Sequence, residues 1–310
     1  MKPDMRVSFC GIDLVSPVLA ASGTFGYGVE FEDIVKFKKI GGFVTKGISP
    51  EPMAGNTAPR LIETAAGMIN AIGLQNIGVE RFIAEKLPPL RHYPQCAVIV
   101  NVFGASIDDY AAVIDRLNQA EGIAAYEVNA SCPNTRHGGI AFGSDPETLF
   151  DLVSRAKSRA TRPLIVKLSP NVTSNALMAQ TAQRAGADAL SLVNTFVALS
   201  IDTETRRPRL TNITGGLSGP AIKPIAVRMV WEAAKAVRIP IIGLGGIVAA
   251  EDAIEFLLAG ATAVQVGTAS YADPRATERI AVELEQWCAR HHVARVADLT
   301  GAMETTPAAV

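Results

Sequence analysis

Cysteine is scarce and scattered: the four in 310 residues, Cys10, Cys96, Cys132 and Cys288, lie far apart. That spacing excludes a disulfide-stapled module and points to reduced thiols in an intracellular protein. With no CxxC pair, the chain alone is expected to build neither a metal site nor an iron–sulfur site. A surplus of charge is missing too, since 29 Lys and Arg stand against 30 Asp and Glu, a net charge of −1. The basic excess that nucleic-acid binding draws on is absent, so no nucleic-acid partner is expected. No run approaches the roughly 18 apolar residues of a membrane span. The opening MKPDMRVSFCGIDL mixes charge into a stretch that a signal peptide would keep apolar. These absences predict a cytoplasmic protein without membrane contact. What remains is 48% hydrophobic and 19% charged, apolar enough to bury a large core and too apolar for disorder. At about 150 residues per domain, the length allows two ordinary domains or one large barrel.

Eight short apolar runs, each leading into a polar or glycine-rich turn, read as parallel strands covered on both faces. They are PVLAAS from Pro17, GGFVTKG from Gly41, AVIVNVFG from Ala97, AYEVNAS from Ala125, PLIVKLS from Pro163, ADALSLVN from Ala187, IPIIGLGG from Ile239 and AVQVGTAS from Ala263. Segments with helical spacing lie between them. Asp145 and Pro146 sit at cap and first-turn positions, Ser106 pairs with Asp109 in a capping pattern, and Gly186 and Gly260 read as stops. Strand then helix, about eight times over, predicts an α/β fold: a single (β/α)8 TIM barrel over residues 1–310. Strand starts fall about 24 residues apart in a minimal unit, but roughly 56, 38 and 52 apart after the second, fourth and sixth runs. The excess predicts lid insertions at about 48–78, 131–145 and 195–218 over the rim that carries barrel chemistry.

On that rim the strand ends converge: Ser22, Lys46, Asn101, Asn129 with Cys132, Lys167, Asn194, Gly245 with Gly246, and Gly267 with Thr268. Two lysines and several amides, with no Asp or Glu at a strand end, suit an anionic, hydrogen-bond-rich ligand rather than a divalent cation. No metal is expected, and paired-carboxylate hydrolysis is a poor match. The glycines of GLGG and VGTA, with Gly219 before a helix, could cradle a phosphate through bare amides or serve simply as tight turns. Lys46 and Lys167 have no partner visible in the sequence, so a ligand anion is the natural one, or else they snorkel to the rim. Cys132, in a Pro-, Asn- and Gly-rich loop three residues after Asn129, is a candidate base or nucleophile, with His137 its rival. Cys10, Cys96 and Cys288 read as small buried hydrophobes.

At these residues the chain resembles the soluble class 1 dihydroorotate dehydrogenases, flavin enzymes of pyrimidine biosynthesis, over nearly its whole length. The motifs are ASGTFGYG at Ala21, VTKGIS at Val44, GMINAIGLQN at Gly67, EVNASCPN at Glu127, IVKLSPN at Ile165, GGLSGPAIKP at Gly215, GLGGI at Gly243 and QVGTA at Gln265. GMINAIGLQN and NTFVALSIDTETRRP from Asn194 make it most similar to the 1B type. The resemblance implies FMN in this chain, held by Ser22, Lys46, Gly47, Asn101, Asn129, Lys167, Val193, Gly219, Gly245, Gly246, Gly267 and Thr268. It implies dihydroorotate contacts at Lys46, Asn70, Ala71, Ile72, Gly73, Leu74, Asn129, Asn194 and Thr195, with Cys132 as the active-site base. The implied reaction sends a hydride from C6 of dihydroorotate to N5 of FMN while Cys132 removes the C5 proton.

The resemblance also implies a homodimeric core within a heterotetramer of two catalytic and two electron-transfer chains. The partners would carry FAD and a 2Fe–2S cluster and pass electrons to NAD. Ala198-Leu199 and Ile77 depart from the family pattern without removing a named contact. Alternatives left open are a fumarate-dependent enzyme of the 1A type, a dihydropyrimidine dehydrogenase acting on a neutral pyrimidine, and a silent scaffold barrel.

Overall fold

A computed structural model describes residues 2–130 and 142–305. Strands β1 (Val7–Phe9) and β2 (Ile12–Leu14) pair as an antiparallel hairpin ahead of the barrel. Next come β3 (Val18–Ala20), β4 (Gly42–Val44), β5 (Leu61–Thr64), β6 (Gly67–Asn70), β7 (Ala97–Val102), β8 (Ala125–Asn129), β9 (Leu164–Lys167) and β10 (Ala189–Leu192). The series ends with β11 (Phe196–Leu199), β12 (Ile201–Asp202), β13 (Arg207–Pro208), β14 (Thr214–Ser218), β15 (Ile241–Leu244) and β16 (Ala263–Val266). Eight of them, β3, β4, β7, β8, β9, β10, β15 and β16, form a closed barrel in that order. Every barrel pairing is parallel, and β16 closes on β3 from Val264 opposite Val18 to Val266 opposite Ala20. The eight apolar runs are these eight strands. The fold is a (β/α)8 TIM barrel.

Local chemistry explains the elements. All of β9, β10, β15 and β16 is buried, which is why these strands read as unbroken apolar runs. The helix Ile107–Asn118 begins with a reciprocal capping box between Ser106 and Asp109. In the helix Pro146–Arg159, the Asp145 side chain accepts from the Thr148 amide and Pro146 occupies the first turn. The helices Asn175–Arg184, Lys223–Ala236, Ala250–Leu258 and Ala276–Arg290 complete the set that matches the predicted spacing. Among the described residues, no helix is long and apolar enough to cross a membrane.

Two expectations need correction. A helix does not follow every strand: between β3 and β4 there are only the 3-10 turns Val29–Phe31 and Phe37–Lys39. There, packed rings replace a helix, with Phe25 lying 5.5 Å from Phe43 and Phe37 5.7 Å from Phe43. The insertions around 48–78 and 195–218 are not plain loops either. They contribute β5, β6, β11 and β14 to one antiparallel sheet in the order β11-β14-β6-β5. Gly216 opposes Asn70 and Ser218 opposes Met68, so segments more than a hundred residues apart lie side by side. Ile69, Ala71 and Leu210 give this sheet a small core of its own. Most of the third insertion, 131–145, lies outside the described residues.

Phe43 is fully buried beneath that ring cluster. Phe43→Ala is expected to lower stability by about 3–5 kcal/mol, read as a lower urea midpoint with an unchanged slope. A loss under about 1 kcal/mol would show that the cavity collapses freely.

Candidate active site

The C-terminal strand ends and the β5–β14 sheet enclose a cavity of about 400 Å³. Ser22, Lys46, Gly47, Asn101, Asn129, Lys167, Val193, Gly245, Gly246, Gly267 and Thr268 line it, as do Asn70 through Leu74, Asn194 and Thr195. The predicted set is therefore brought together, with two exceptions. Gly219 stands one residue beyond the lining residue Ser218, with its carbonyl against Gly246. Cys132 and its rival His137 lie outside the described residues.

At one end of the cavity, amides and a lysine are held in place by backbone. Tyr110, on the helix Ile107–Asn118, donates its hydroxyl to the Asn129 carbonyl at 2.9 Å and so anchors the end of β8. Asn194 donates to the Asn129 side chain at 3.4 Å, and its own side-chain oxygen accepts the Thr195 amide at 2.8 Å. Asn171 lines the cavity and went unnoticed in the sequence. It bridges the Thr195 carbonyl at 3.0 Å and the Val197 amide at 3.0 Å, fixing the chain as it leaves β10. The 70–74 segment turns sharply, with Gly73 at φ 75° and Leu74 at φ 58°. A left-handed leucine costs about 1–3 kcal/mol. The bonds from Asn56 to the Ala71 carbonyl and from Asn76 to the Leu74 carbonyl hold the turn there. Lys46 is half-buried, and among the described residues no carboxylate lies within ion-pair distance. Burial above all, and the nearby charge of Arg60, hold its ammonium below the usual lysine range.

Lys167 corrects the expectation of two partnerless lysines, although no Asp or Glu among the described residues lines the cavity itself. Its ammonium lies 3.9 Å from Glu127, a fully buried residue of β8. One Glu127 oxygen accepts from Asn101 at 2.7 Å; the other accepts from Ser191 at 2.9 Å and Gln265 at 3.0 Å. Four strands besides β8 thus meet at one carboxylate inside the barrel. The signal was present in the sequence: Glu127, Ser191 and Gln265 each interrupt an apolar run, and a polar side chain in a buried strand needs a partner. Asn101 and Gln265 each donate to Glu127, and their side-chain oxygens are buried and without a partner among the described residues. Each such acceptor costs about 1–3 kcal/mol if it is left unmet.

Glycines form further parts of the lining. Gly246 has φ 78°, and a Cβ there would stand 2.8 Å from the Gly219 carbonyl. A Cβ at Gly47 would fall 2.9 Å from the Asn101 side-chain oxygen. Thr268 donates to Ser218 at 2.8 Å, tying the end of β16 to β14. The result is one cavity with bare backbone beyond β15 and β16 and with lysines and amides around the rest of its wall. Such a shape suits a phosphorylated ring compound beside a second, anionic ring.

Residues 4–287 match the family described as dihydroorotate dehydrogenase. The chain belongs to the dihydroorotate dehydrogenase family. It is 56% identical to the dihydroorotate dehydrogenase B (NAD(+)) catalytic subunit of Pelobacter propionicus, across 98% of this chain and 100% of the relative. It is 54% identical to the subunit of the same name from Citrifermentans bemidjiense, across 98% and 99%. A protein of Solibacter usitatus provisionally named dihydroorotate dehydrogenase A (fumarate) is 58% identical, across 98% and 100%. In this member of the dihydroorotate dehydrogenase family, Cys10, Cys96 and Cys288 all lie off the cavity. Cys96 and Cys288 are buried as expected, whereas Cys10 is half-exposed and donates its thiol to the Asp188 carbonyl. Burial pushes the Cys10 and Cys96 thiols up to about 12, away from thiolate chemistry at neutral pH.

The lowered Lys46 value has a defined consequence for stability. Between that value and the ordinary 10.5, the unfolded chain binds a proton that the folded chain does not, so stability rises with pH. Below that window the folded protein carries the full penalty of a buried cation. Lys46→Met is therefore expected to raise the melting temperature of the ligand-free protein at pH 7, with the gain shrinking toward pH 10. A lower melting temperature at pH 7 would mean that the ammonium stabilises the fold.

Proposed function

We propose that the chain oxidises dihydroorotate to orotate in pyrimidine biosynthesis, as the FMN-binding catalytic subunit of a cytoplasmic assembly that passes electrons to NAD. The observation that carries this reading is the composition of the cavity: a lysine without an acidic partner among the described residues, seven amide side chains and several glycines. The fit to FMN rests on the buried acceptors of Asn101 and Gln265, which lack donors among the described residues, and on glycines at positions where a Cβ would clash. Bound FMN supplies the acceptor for the hydride that leaves C6 of the substrate.

The chain's own residues do the rest. The Lys46 ammonium pairs with the substrate carboxylate, a match a neutral dihydropyrimidine lacks. Asn70, Asn129, Asn194 and Thr195 hold the ring amides, because carboxamides can both donate and accept. Ala71 through Leu74 cover the ring, and the segments 48–78, 131–145 and 195–218 exclude water as a lid over a single domain of residues 1–310. Ser22, Gly47, Val193 and Gly219 join the glycines and lysines in holding FMN. Cys132 removes the C5 proton, a task suited to a thiol in a polar loop and unsuited to Cys10, Cys96 and Cys288, which lie off the cavity.

The names of the B-type relatives support an electron-transfer partner. In our reading it carries FAD and a 2Fe–2S cluster on two chains docked to a catalytic homodimer. The Solibacter relative favours a second reading, in which fumarate accepts the electrons directly.

Anaerobic dihydroorotate is expected to bleach the flavin absorbance of the purified chain, whereas dihydrouracil leaves it unchanged. Protein that purifies colourless would overturn the FMN assignment. Reoxidation of the isolated chain by fumarate would replace the NAD route with the second reading. Cys132→Ala should stay yellow while turnover falls by about 10²–10⁴. Cys132→Ser, a much weaker acid, should keep activity only at raised pH. Unchanged turnover in the alanine variant would remove Cys132 from the chemistry.

A further inference from the structure

The carboxylate of Glu127 lies inside the barrel with three neutral donors on it and a cation close by that is not bonded to it. Lys167 is 5% exposed and lines the cavity, yet its Nζ stands 3.9 Å from Glu127 Oε1, beyond hydrogen-bond length. Among the described residues its ammonium makes no hydrogen bond. An ammonium and a carboxylate this close in a dry wall close into a bonded pair unless other bonds hold the carboxylate in place. Here three bonds hold it, from Asn101 to Oε1 and from Ser191 and Gln265 to Oε2.

We propose that Glu127 is a positioning residue: satisfied by these three donors, it keeps Lys167 in the wall as an unbonded counter-ion and sets the positive charge that the wall presents to the flavin. The inference rests on the FMN reading above. Its electrostatics run in two opposite directions. Neutralising Glu127 leaves the charge of Lys167 uncompensated, so the wall becomes more positive. Removing one donor instead loosens the carboxylate, lets it close on Lys167 and makes the wall less positive. Ser191 is the donor of choice for that change, because it is fully buried and does not line the cavity, so it acts on a flavin only through Glu127. Positive charge beside a ring that gains negative charge on reduction raises its midpoint potential.

The test is an anaerobic redox titration, at pH 7, of the bound flavin in the native holoenzyme and in E127Q, S191A and S191T. The expected result is a shift to more positive potential in E127Q and to more negative potential in S191A. S191T, which keeps the hydroxyl, should retain the native value. Shifts of the same sign in E127Q and S191A would reveal a disturbance of packing and overturn the proposal, as would no shift in either. If E127Q fails to fold, S191A still decides: an unmoved or raised potential overturns the proposal. A native chain that binds no flavin would bring down the functional reading and this inference together, whereas a flavin-loaded chain with the wrong signs brings down this inference alone.

Discussion

A sheet whose last strand pairs with its first has no open edge, and eight parallel strands so closed must end together on one rim. Here the ladder from Val264–Val266 to Val18–Ala20 makes that closure. It leaves the strand-end residues nowhere to go except around a common opening. Lys46 on the chain after β4, Asn129 at the end of β8 and Thr268 after β16 have nothing in common along the sequence. They share a cavity because strand polarity and closure leave no other arrangement.

The interior of such a barrel is ordinarily filled by branched apolar side chains. The polar knot at Glu127 departs from that rule, and the departure lies directly beneath the cavity. A buried carboxylate is tolerable only where hydrogen bonds and a counter-charge replace the water it has lost. Meeting both needs takes five of the eight strands. The same contacts fix which way the amides of Asn101 and Gln265 face. Solvation of one charge inside the protein and presentation of a polar surface to a ligand are thus a single arrangement.

Much of this was legible in the sequence. The eight barrel strands were readable because strands buried on both faces cannot alternate: LIVK, ALSL and IIGL each sit in a run that no surface element would have. The helix starts at Ser106 and Asp145 were readable because capping is local. The strands of the rim sheet were not: β6 and β14, GMIN and TGGLS, are short and glycine-bearing, and their pairing joins segments more than a hundred residues apart. Glu127 was readable as an anomaly but not as a partner of Lys167. The pair is set by the register of β8 against β9, which a chain read residue by residue does not display. Asn171 escaped for a related reason, since its bonds to Thr195 and Val197 go to backbone 24 and 26 residues away.

Closure also has a consequence for synthesis on the ribosome. Chain emerging from the tunnel lacks β16 until some 260 residues have been made, and until then β3 and β15 present unpaired edges of the kind that template wrong partners. Gly267 and Thr268 arrive with that final strand. The full lining of the cavity and the closed sheet edge are therefore acquired in the same late step, and a truncated nascent chain has neither.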